Sequence, residues 1–338
     1  MAQRNIDIDI AEGIGGPSST AVFRETQLPE DRVEQVQVLK KAITKLADLG
    51  HHMSKCAVIS TLSDGDEMSF RSVQIRGLDK SGELVLEIGK NCGNSIVAST
   101  FVALREKYGS PISRDKVARV LNRDTGFAAD MNVVNSDGDQ SIAFDMDVIS
   151  LVGRVPADSL LEGSEPTWRV PFGRRDIPIT TLDAVNPYIV VPAGELGIDS
   201  IERLLKIEDN PADILDRLNA IRSAVINILA YPQESEFPKV AIAHREGSNI
   251  VARTVYRAGW HPVLPITASI SLAVSSRISG SVIAFDSQDE GQDTLTIRTP
   301  REAEQLKLRI DPKTGTIIEC VLKNRKAVLR HCNIKMCF

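Results

Sequence analysis

Apolar positions recur at three-to-four spacing between Asp31 and Leu49. Val33, Val36, Leu39, Ile43, Leu46 and Ala47 fall on one side of a helix, and Gly50 follows as a stop. A second amphipathic helix is predicted from Asn210-Pro211, a capping residue with a first-turn proline, carrying Ile214, Leu215, Leu218, Ile221, Val225 and Ile228 toward Pro232. Two other segments differ in kind. Asn94 to Leu104, closing at Gly109, and Thr267 to Ser276, closing at Gly280, are apolar or small nearly all round, the pattern of a helix enclosed on every side. Short β-rich runs surround them: Cys56 to Ser60, Leu84 to Ile88, Val117 to Leu121, Ala128 to Val134, Val148 to Val152, Ile189 to Val191, Val240 to Ala243, Ser281 to Ala284 and Thr294 to Ile297. This inventory predicts an α+β fold of two similar domains, each a β-sheet wrapped around one central buried helix. Both buried helices could then point their N-termini into one inter-domain cleft, where free N–H groups and the positive dipole end favour an anion. A carboxylate-rich substrate is the chemistry this implies.

Length supports the division, since 338 residues exceed the size at which one core usually stops growing. The formal charge of −5 comes without a basic stripe interleaved with aromatics, which argues against a nucleic-acid partner and for a small molecule. No apolar run reaches the length of a membrane span, and the N-terminus lacks the basic and apolar regions of a secretory signal, so a cytoplasmic protein is expected. Five cysteines without a CxxC pair imply reduced thiols rather than a disulfide framework or a zinc knuckle. His331, Cys332 and Cys337 in the tail lack a fourth ligand, and His51-His52 has no acidic partner at helical spacing, so no metal is expected.

Among the cysteines, Cys92 in Asn91-Cys92-Gly93-Asn94 stands at the start of the first enclosed helix. A thiol at a helix N-terminus near a cation can have its pKa lowered from about 8.5 toward neutrality and exchange protons at working pH. Gly93 would let backbone approach a ligand, and Asn91 or Asn94 could orient a carboxylate through amide N–H donors. The alternative is that Cys92 is a small buried hydrophobe. Lys55 is either a solvated edge lysine or a cleft cation, and Cys56 reads as core. Gly15-Gly16-Pro17-Ser18-Ser19 is either an anion loop or only a turn. His261 reads equally as a cleft acid or as a satisfied histidine, and Thr267 is placed to cap the second enclosed helix and to contact a ligand.

An ordered set of motifs carries a resemblance: Gly15-Gly16-Pro17-Ser18-Ser19 with Val22-Phe23 and Leu28-Pro29, then Ser54-Lys55-Cys56-Ala57-Val58-Ile59-Ser60, then Asn91-Cys92-Gly93-Asn94. Asn186-Pro187, Ala193-Gly194-Glu195-Leu196-Gly197, Pro238-Lys239-Val240-Ala241 and the stretch from His261 through Pro265 to Thr267-Ala268 follow in order. Over most of its length the chain resembles the 2-methylaconitate cis-trans isomerase (PrpF-like) family, within the diaminopimelate epimerase-like superfamily. The resemblance implies domains at 1–112 and 113–321, with about 322–338 returning to the first, and an active site in the inter-domain cleft. It implies Lys55 and Cys92 as acid/base residues, and Gly16, Ser18, Ser19, Ser54, Asn91, Gly93, Asn94, His261, Thr267 and Ala268 as substrate contacts. It further implies a cofactor-independent isomerase that moves or inverts a C=C bond in an unsaturated di- or tricarboxylic acid of the methylaconitate, aconitate or itaconate kind, and a homodimer is compatible with it.

The chain departs from that pattern in three places. Ser19 stands where the family's first glycine-rich loop has a lysine, Lys90 replaces the glycine before the Asn-Cys pair, and the glycine-rich stretch before Ser54 is reduced to Leu49-Gly50-His51-His52-Met53. An alternative follows from these changes: the family fold with an altered pocket, acting on or binding a different ligand in a specialised biosynthetic pathway. The stretch from His261 to Thr267 has no cysteine, which disfavours the two-thiol racemase chemistry of the epimerase relatives.

Overall fold

The computed structural model describes residues 5–13, 19–207, 211–231, 237–256, 259–261, 263–286 and 291–337. The chain forms two compact units, Met1–Ser150 with Asn324–Phe338, and Leu151–Lys323.

The first unit contains β1 (Asn5–Gly13), β2 (Thr20–Arg24), α1 (Arg32–Asp48), β3 (Lys55–Ile59), β4 (Glu67–Leu78), β5 (Leu84–Ile88), α2 (Gly93–Tyr108), β6 (Val117–Asn122), β7 (Phe127–Asp137) and β8 (Ser141–Asp147). In the second lie β9 (Trp168–Phe172), β10 (Arg175–Asp183), β11 (Pro187–Pro192), α3 (Ile201–Leu205), α4 (Pro211–Ile228), β12 (Lys239–Glu246), β13 (Asn249–Tyr256), β14 (Gly259–Trp260), α5 (Ile266–Ser276), β15 (Thr294–Arg298) and β16 (Ala303–Ile310). The long β17 (Ile317–Cys337) pairs with β16 in its first half and with β1 in its second. The division between units falls at 150/151, beyond the 112/113 expected from sequence. The reason is that β6 pairs in parallel with β4, and the β6–β7–β8 meander follows it into the same sheet.

In the first unit the pairings run β1–β2–β3–β4–β6–β7–β8–β17 and return to β1, closing a ring. Helix α2 packs against β1, β2, β3, β4 and β6, and every residue from Gly93 to Leu104 is buried. An all-round apolar helix needs such an enclosure, because it has no face to give to water. Helix α1 covers the outside of the ring. Asp31 caps it by accepting from the Val33 and Glu34 amides at 3.0 and 2.9 Å, and Gly50 (φ 85°) stops it in the left-handed conformation. Its Leu39, Ala42, Ile43 and Leu46 pack on Ile6, Ile8, Ala21, Phe23, Cys56, Val58 and Val73. Val33 of the predicted apolar face is 71% exposed and takes no part in that packing.

Strand alternation then sorts β3. Cys56 and Val58 face α1, so Lys55, Ala57 and Ile59 face the α2 side. Burial on the α1 side pushes the Cys56 thiol up from its ordinary 9.0 to about 12. Below pH 9 the thiol is protonated in both folded and unfolded chains, and above it only the unfolded chain readily ionises. Stability contributed by the neutral buried thiol is therefore expected to fall by about 1.4 kcal/mol per pH unit from pH 9 toward 12. Urea titrations of wild type and Cys56→Ala should converge over that window, and a constant difference between them would contradict the assignment.

The second unit orders its strands β9–β10–β11–β12–β13–β15–β16–β17, with β14 returning on β13. Helix α5, buried at every residue, packs on β10, β11 and β16. Helices α3 and α4 cover the other face, where Leu204, Leu218, Ile221 and Val225 meet Ile189, Val191, Val240, Ile242 and Val251. Asn210 and Pro232, the expected bounds of α4, lie outside the described residues, and Ile228 is 53% exposed rather than on the packed face.

Two predicted strands are absent. Val148 to Val152 forms a 3-10 turn at Ile149–Leu151, because its apolar side chains anchor a connection rather than alternate across a sheet. From there the chain bridges β17 and β10: the Gly153 amide donates to the Ile317 carbonyl, the Ile317 amide donates to the Arg154 carbonyl, and Leu160 bridges to Leu182. Ser281 to Ala284 is a run of turns, since the Ser281 hydroxyl donates to the Ser275 carbonyl at 2.6 Å and competes with any ladder.

Candidate active site

At one end of the first unit four chain segments converge on the start of α2. Gly13 ends β1, Thr20 begins β2, Lys55 begins β3, and Gly89 to Cys92 lead from β5 into the helix. Thr20 and Lys55 are register partners, and the Thr20 hydroxyl meets the Ser95 hydroxyl in the first turn of α2 at 3.2 Å. Residues paired across neighbouring strands point to the same face, so Lys55 is directed as Thr20 is, toward that first turn. It is 6% exposed, and among the described residues its ammonium has no hydrogen-bond or ion-pair partner. Few lysines are buried this far without a carboxylate or carbonyl to receive them.

Cys92 is the N-cap of α2, in extended conformation (φ −129°, ψ 100°), and its side chain does not cap the helix. Its carbonyl accepts the first helical bond, from the Ile96 amide at 2.9 Å. The amides of Gly93, Asn94 and Ser95 therefore have no acceptor within the helix. Gly13 lies directly against this turn: a Cβ on it would stand 2.7 Å from the Asn94 carbonyl oxygen and 3.0 Å from its Cα. Only glycine lets β1 approach so closely. Asn91 is 4% exposed, and its Oδ1 accepts from Asn122 Nδ2 at 2.8 Å and Thr125 Oγ1 at 2.9 Å. Two donors on the oxygen fix the orientation of the Asn91 amide.

The first unit thus brings together Ser54, Lys55, Asn91, Cys92, Gly93 and Asn94, with half-buried Ser19 next to Thr20. Gly16 and Ser18 lie outside the described residues. The Ser54 carbonyl accepts from the Ile75 amide at 2.9 Å, which ties the residue before Lys55 to β4. His261, Thr267 and Ala268 belong to the second unit. His261 is 7% exposed, with Nδ1 hydrogen-bonded to the Val263 carbonyl. Thr267 does not cap α5: Pro265 is the N-cap, and the Thr267 hydroxyl meets the Tyr188 hydroxyl at 3.1 Å. Pro265 ends the extended chain with its own carbonyl accepting from the Ala268 amide at 2.8 Å, which displaces Thr267 into the first turn. Gly13, Thr20, Asn122 and Thr125 were not singled out from sequence, because each reaches the site through a long-range pairing or turn that no local pattern marks.

Cys92 is half-buried, Cys56 and Cys320 are buried, and Cys332 and Cys337 are exposed on β17. Iodoacetamide is accordingly expected to alkylate Cys332, Cys337 and Cys92 in the folded protein and to spare Cys56 and Cys320, a pattern peptide mass spectrometry reads directly. Among the described residues no group of three or more His, Cys, Asp or Glu is placed to hold a metal ion, and no helix is long and apolar enough to cross a membrane.

No family model matches the chain. It is 23% identical over 331 residues to a 4-oxalomesaconate tautomerase of Pseudomonas putida, covering 91% of this chain and 90% of the relative. It is also 23% identical over 329 residues to YbhH of Escherichia coli K12, assigned by name to the isomerases, covering 90% and 92%. Among solved structures, a methylitaconate-delta-isomerase superposes with a TM-score of 0.69 at 16% identity, over 100% of this chain and 96% of that one. A hydroxyproline epimerase from Agrobacterium vitis superposes at 0.54 with 10% identity, over 99% and 93%. These likenesses fix the fold as α+β with a large mixed sheet and few helices, and the class of protein as an isomerase. The likenesses support the resemblance to the PrpF-like isomerases carried by the sequence motifs.

Proposed function

We propose that the protein is a cofactor-independent isomerase that moves or inverts a C=C bond in an unsaturated di- or tricarboxylic acid, with Lys55 and Cys92 carrying the proton. The observation that carries this reading is the side chain of Lys55, 6% exposed and without a partner among the described residues, directed at the helix start whose N-cap is Cys92. A substrate carboxylate supplies the missing partner. One of the two residues removes a proton alpha or gamma to that carboxylate, and the negative charge spreads over the carboxylate and the allylic carbons. The uncapped amides of Gly93 to Ser95 and the positive end of α2 stabilise this anion, and reprotonation at the other carbon, or at the same one after rotation, completes the isomerisation. Asn91, held by Asn122 and Thr125, orients the carboxylate. His261, Thr267 and Ala268 are assigned a substrate-binding role in the second unit.

Proton NMR in deuterated water tests the proposal against aconitate, itaconate, 2-methylaconitate and 4-oxalomesaconate. Exchange at the allylic carbon of at least one is expected, and its absence with all of them would overturn the reaction class. Gly13→Ala tests the geometry. Its Cβ would push on backbone rather than on a yielding side chain, so β1 or the first turn of α2 must shift. A displacement on the order of an ångström is expected to cost about 10²-fold in kcat/KM, with the far-UV circular dichroism unchanged. Wild-type kinetics in this variant would mean that the turn is not part of the site.

A further inference from the structure

A cavity of about 580 Å³ opens in the first unit on the α1 side of β3, where Val58 lines it, and so on the face opposite Lys55. Its walls carry separated charges. Arg71 is held by Gln35 at 2.7 Å and by Asp124 at 3.0 Å, and Arg32 reaches the same carboxylate at 3.3 Å, with Arg123 beside it. Two guanidiniums share the Asp124 carboxylate and Arg123 stands by, while Glu25 and Glu30 also line the cavity, so arginines and carboxylates balance as the two ends of a zwitterion require. Glu25 lies at the other end, accepting from the Ser69 hydroxyl at 3.4 Å. Ser69 and Arg71 are two residues apart on one face of β4, about 7 Å along the strand. Glu25 and Arg71 thus hold opposite charges at separate places along one cavity wall, as an ammonium and a carboxylate on the same carbon require. Leu28, Pro29 and Val58 add apolar atoms to the lining.

We infer that this cavity binds a small α-amino acid with an apolar side chain, its carboxylate on Arg71 and Arg123 and its ammonium on Glu25. Occupancy reaches the catalytic residues by a short route. Asp124 belongs to the same turn as Asn122 and Thr125, the two residues that hold Asn91 beside Cys92. A ligand carboxylate that competes with Asp124 for Arg71 alters the hold on that turn and, through Asn91, the setting of Cys92. The binding is independent of the proposed reaction, and its effect on turnover rests on that reading.

Isothermal titration calorimetry of the full chain with L-leucine, and with 4-methylpentanoate and leucinamide as analogues lacking one charged group, tests the binding. L-Leucine is expected to bind with one-to-one stoichiometry, and each analogue about tenfold more weakly. Arg71→Gln and the exposed Glu25→Gln should each weaken L-leucine about tenfold. If Arg71→Gln does not fold, Glu25→Gln alone decides. The rate of Cys92 alkylation by iodoacetamide reads the coupling: L-leucine is expected to change it in wild type and to leave it unchanged in Thr125→Val, which still binds. Absence of binding, or binding indifferent to Glu25→Gln, overturns the site, and binding without any change in alkylation overturns the coupling. Allylic exchange in deuterated water, measured without leucine, separates either failure from failure of the proposed reaction.

Discussion

Replacing Cys92 with alanine is expected to lower kcat by about 10²–10⁴-fold, the usual worth of a positioned acid or base, and to remove deuterium exchange at the allylic carbon. The structure predicts that this loss comes without loss of fold. Helix α2 does not use the thiol as a cap, since the Cys92 contribution to the helix is its carbonyl, bonded to the Ile96 amide at 2.9 Å, and alanine keeps that carbonyl. A stability change within about 1 kcal/mol follows, read as an unchanged thermal midpoint. Cys92→Ser should be nearly as inactive, because a hydroxyl at the same place is far less acidic than a thiol. The uncapped amides of the first turn remain in both variants, so substrate affinity should fall much less than turnover. A Cys92→Ala enzyme that still exchanges the allylic proton at the wild-type rate would leave the thiol as a packing residue.

The enclosed helices were legible because an apolar helix without a polar face has only one kind of place to go. Asn94 to Leu104 sits within α2, and Thr267 to Ser276 within α5, each buried on all sides. Gly50 marked the end of α1 for an equally local reason, its left-handed φ. Sheet closure was not legible. β17 exposes Lys323, Lys326, Arg330 and Lys335, and its pairing with β1 joins Asn5 to Cys337, a contact no local period encodes. The same limit applies at the site. Asn91 to Asn94 announce themselves as a motif, whereas Asn122 and Thr125 arrive from the β6–β7 turn, 31 and 34 positions away in the chain. Thr267 was misassigned as a cap because a threonine at the start of an enclosed helical run reads as one locally, while Tyr188 from β11 meets its hydroxyl.

Lys55→Met should produce an enzyme that is more stable and inactive. The Lys55 side chain is 6% exposed and has no hydrogen-bond or ion-pair partner among the described residues, so an unbranched apolar side chain of similar length is expected to fill its place without breaking a bond and to be the easier one to bury. A gain on the order of 1 kcal/mol in unfolding free energy is expected, seen as a higher urea midpoint. Residues that stabilise a protein when removed are those held in place for another purpose, and the purpose proposed for Lys55 is to hold the substrate carboxylate and move its proton. Lys55→Arg separates the two. A guanidinium restores the positive charge and can hold a carboxylate, but it does not give up its proton at working pH. If Lys55 only binds, Lys55→Arg should recover much of kcat and chiefly alter KM. If it carries a proton, kcat should stay about 10²-fold or more below wild type while KM returns toward it. The second outcome is expected, because the strand register directs Lys55 toward the helix start that holds Cys92, and a reaction that moves a double bond needs one group to remove the proton and another to return it. Full activity in Lys55→Met would exclude Lys55 from both roles and leave its burial without an explanation.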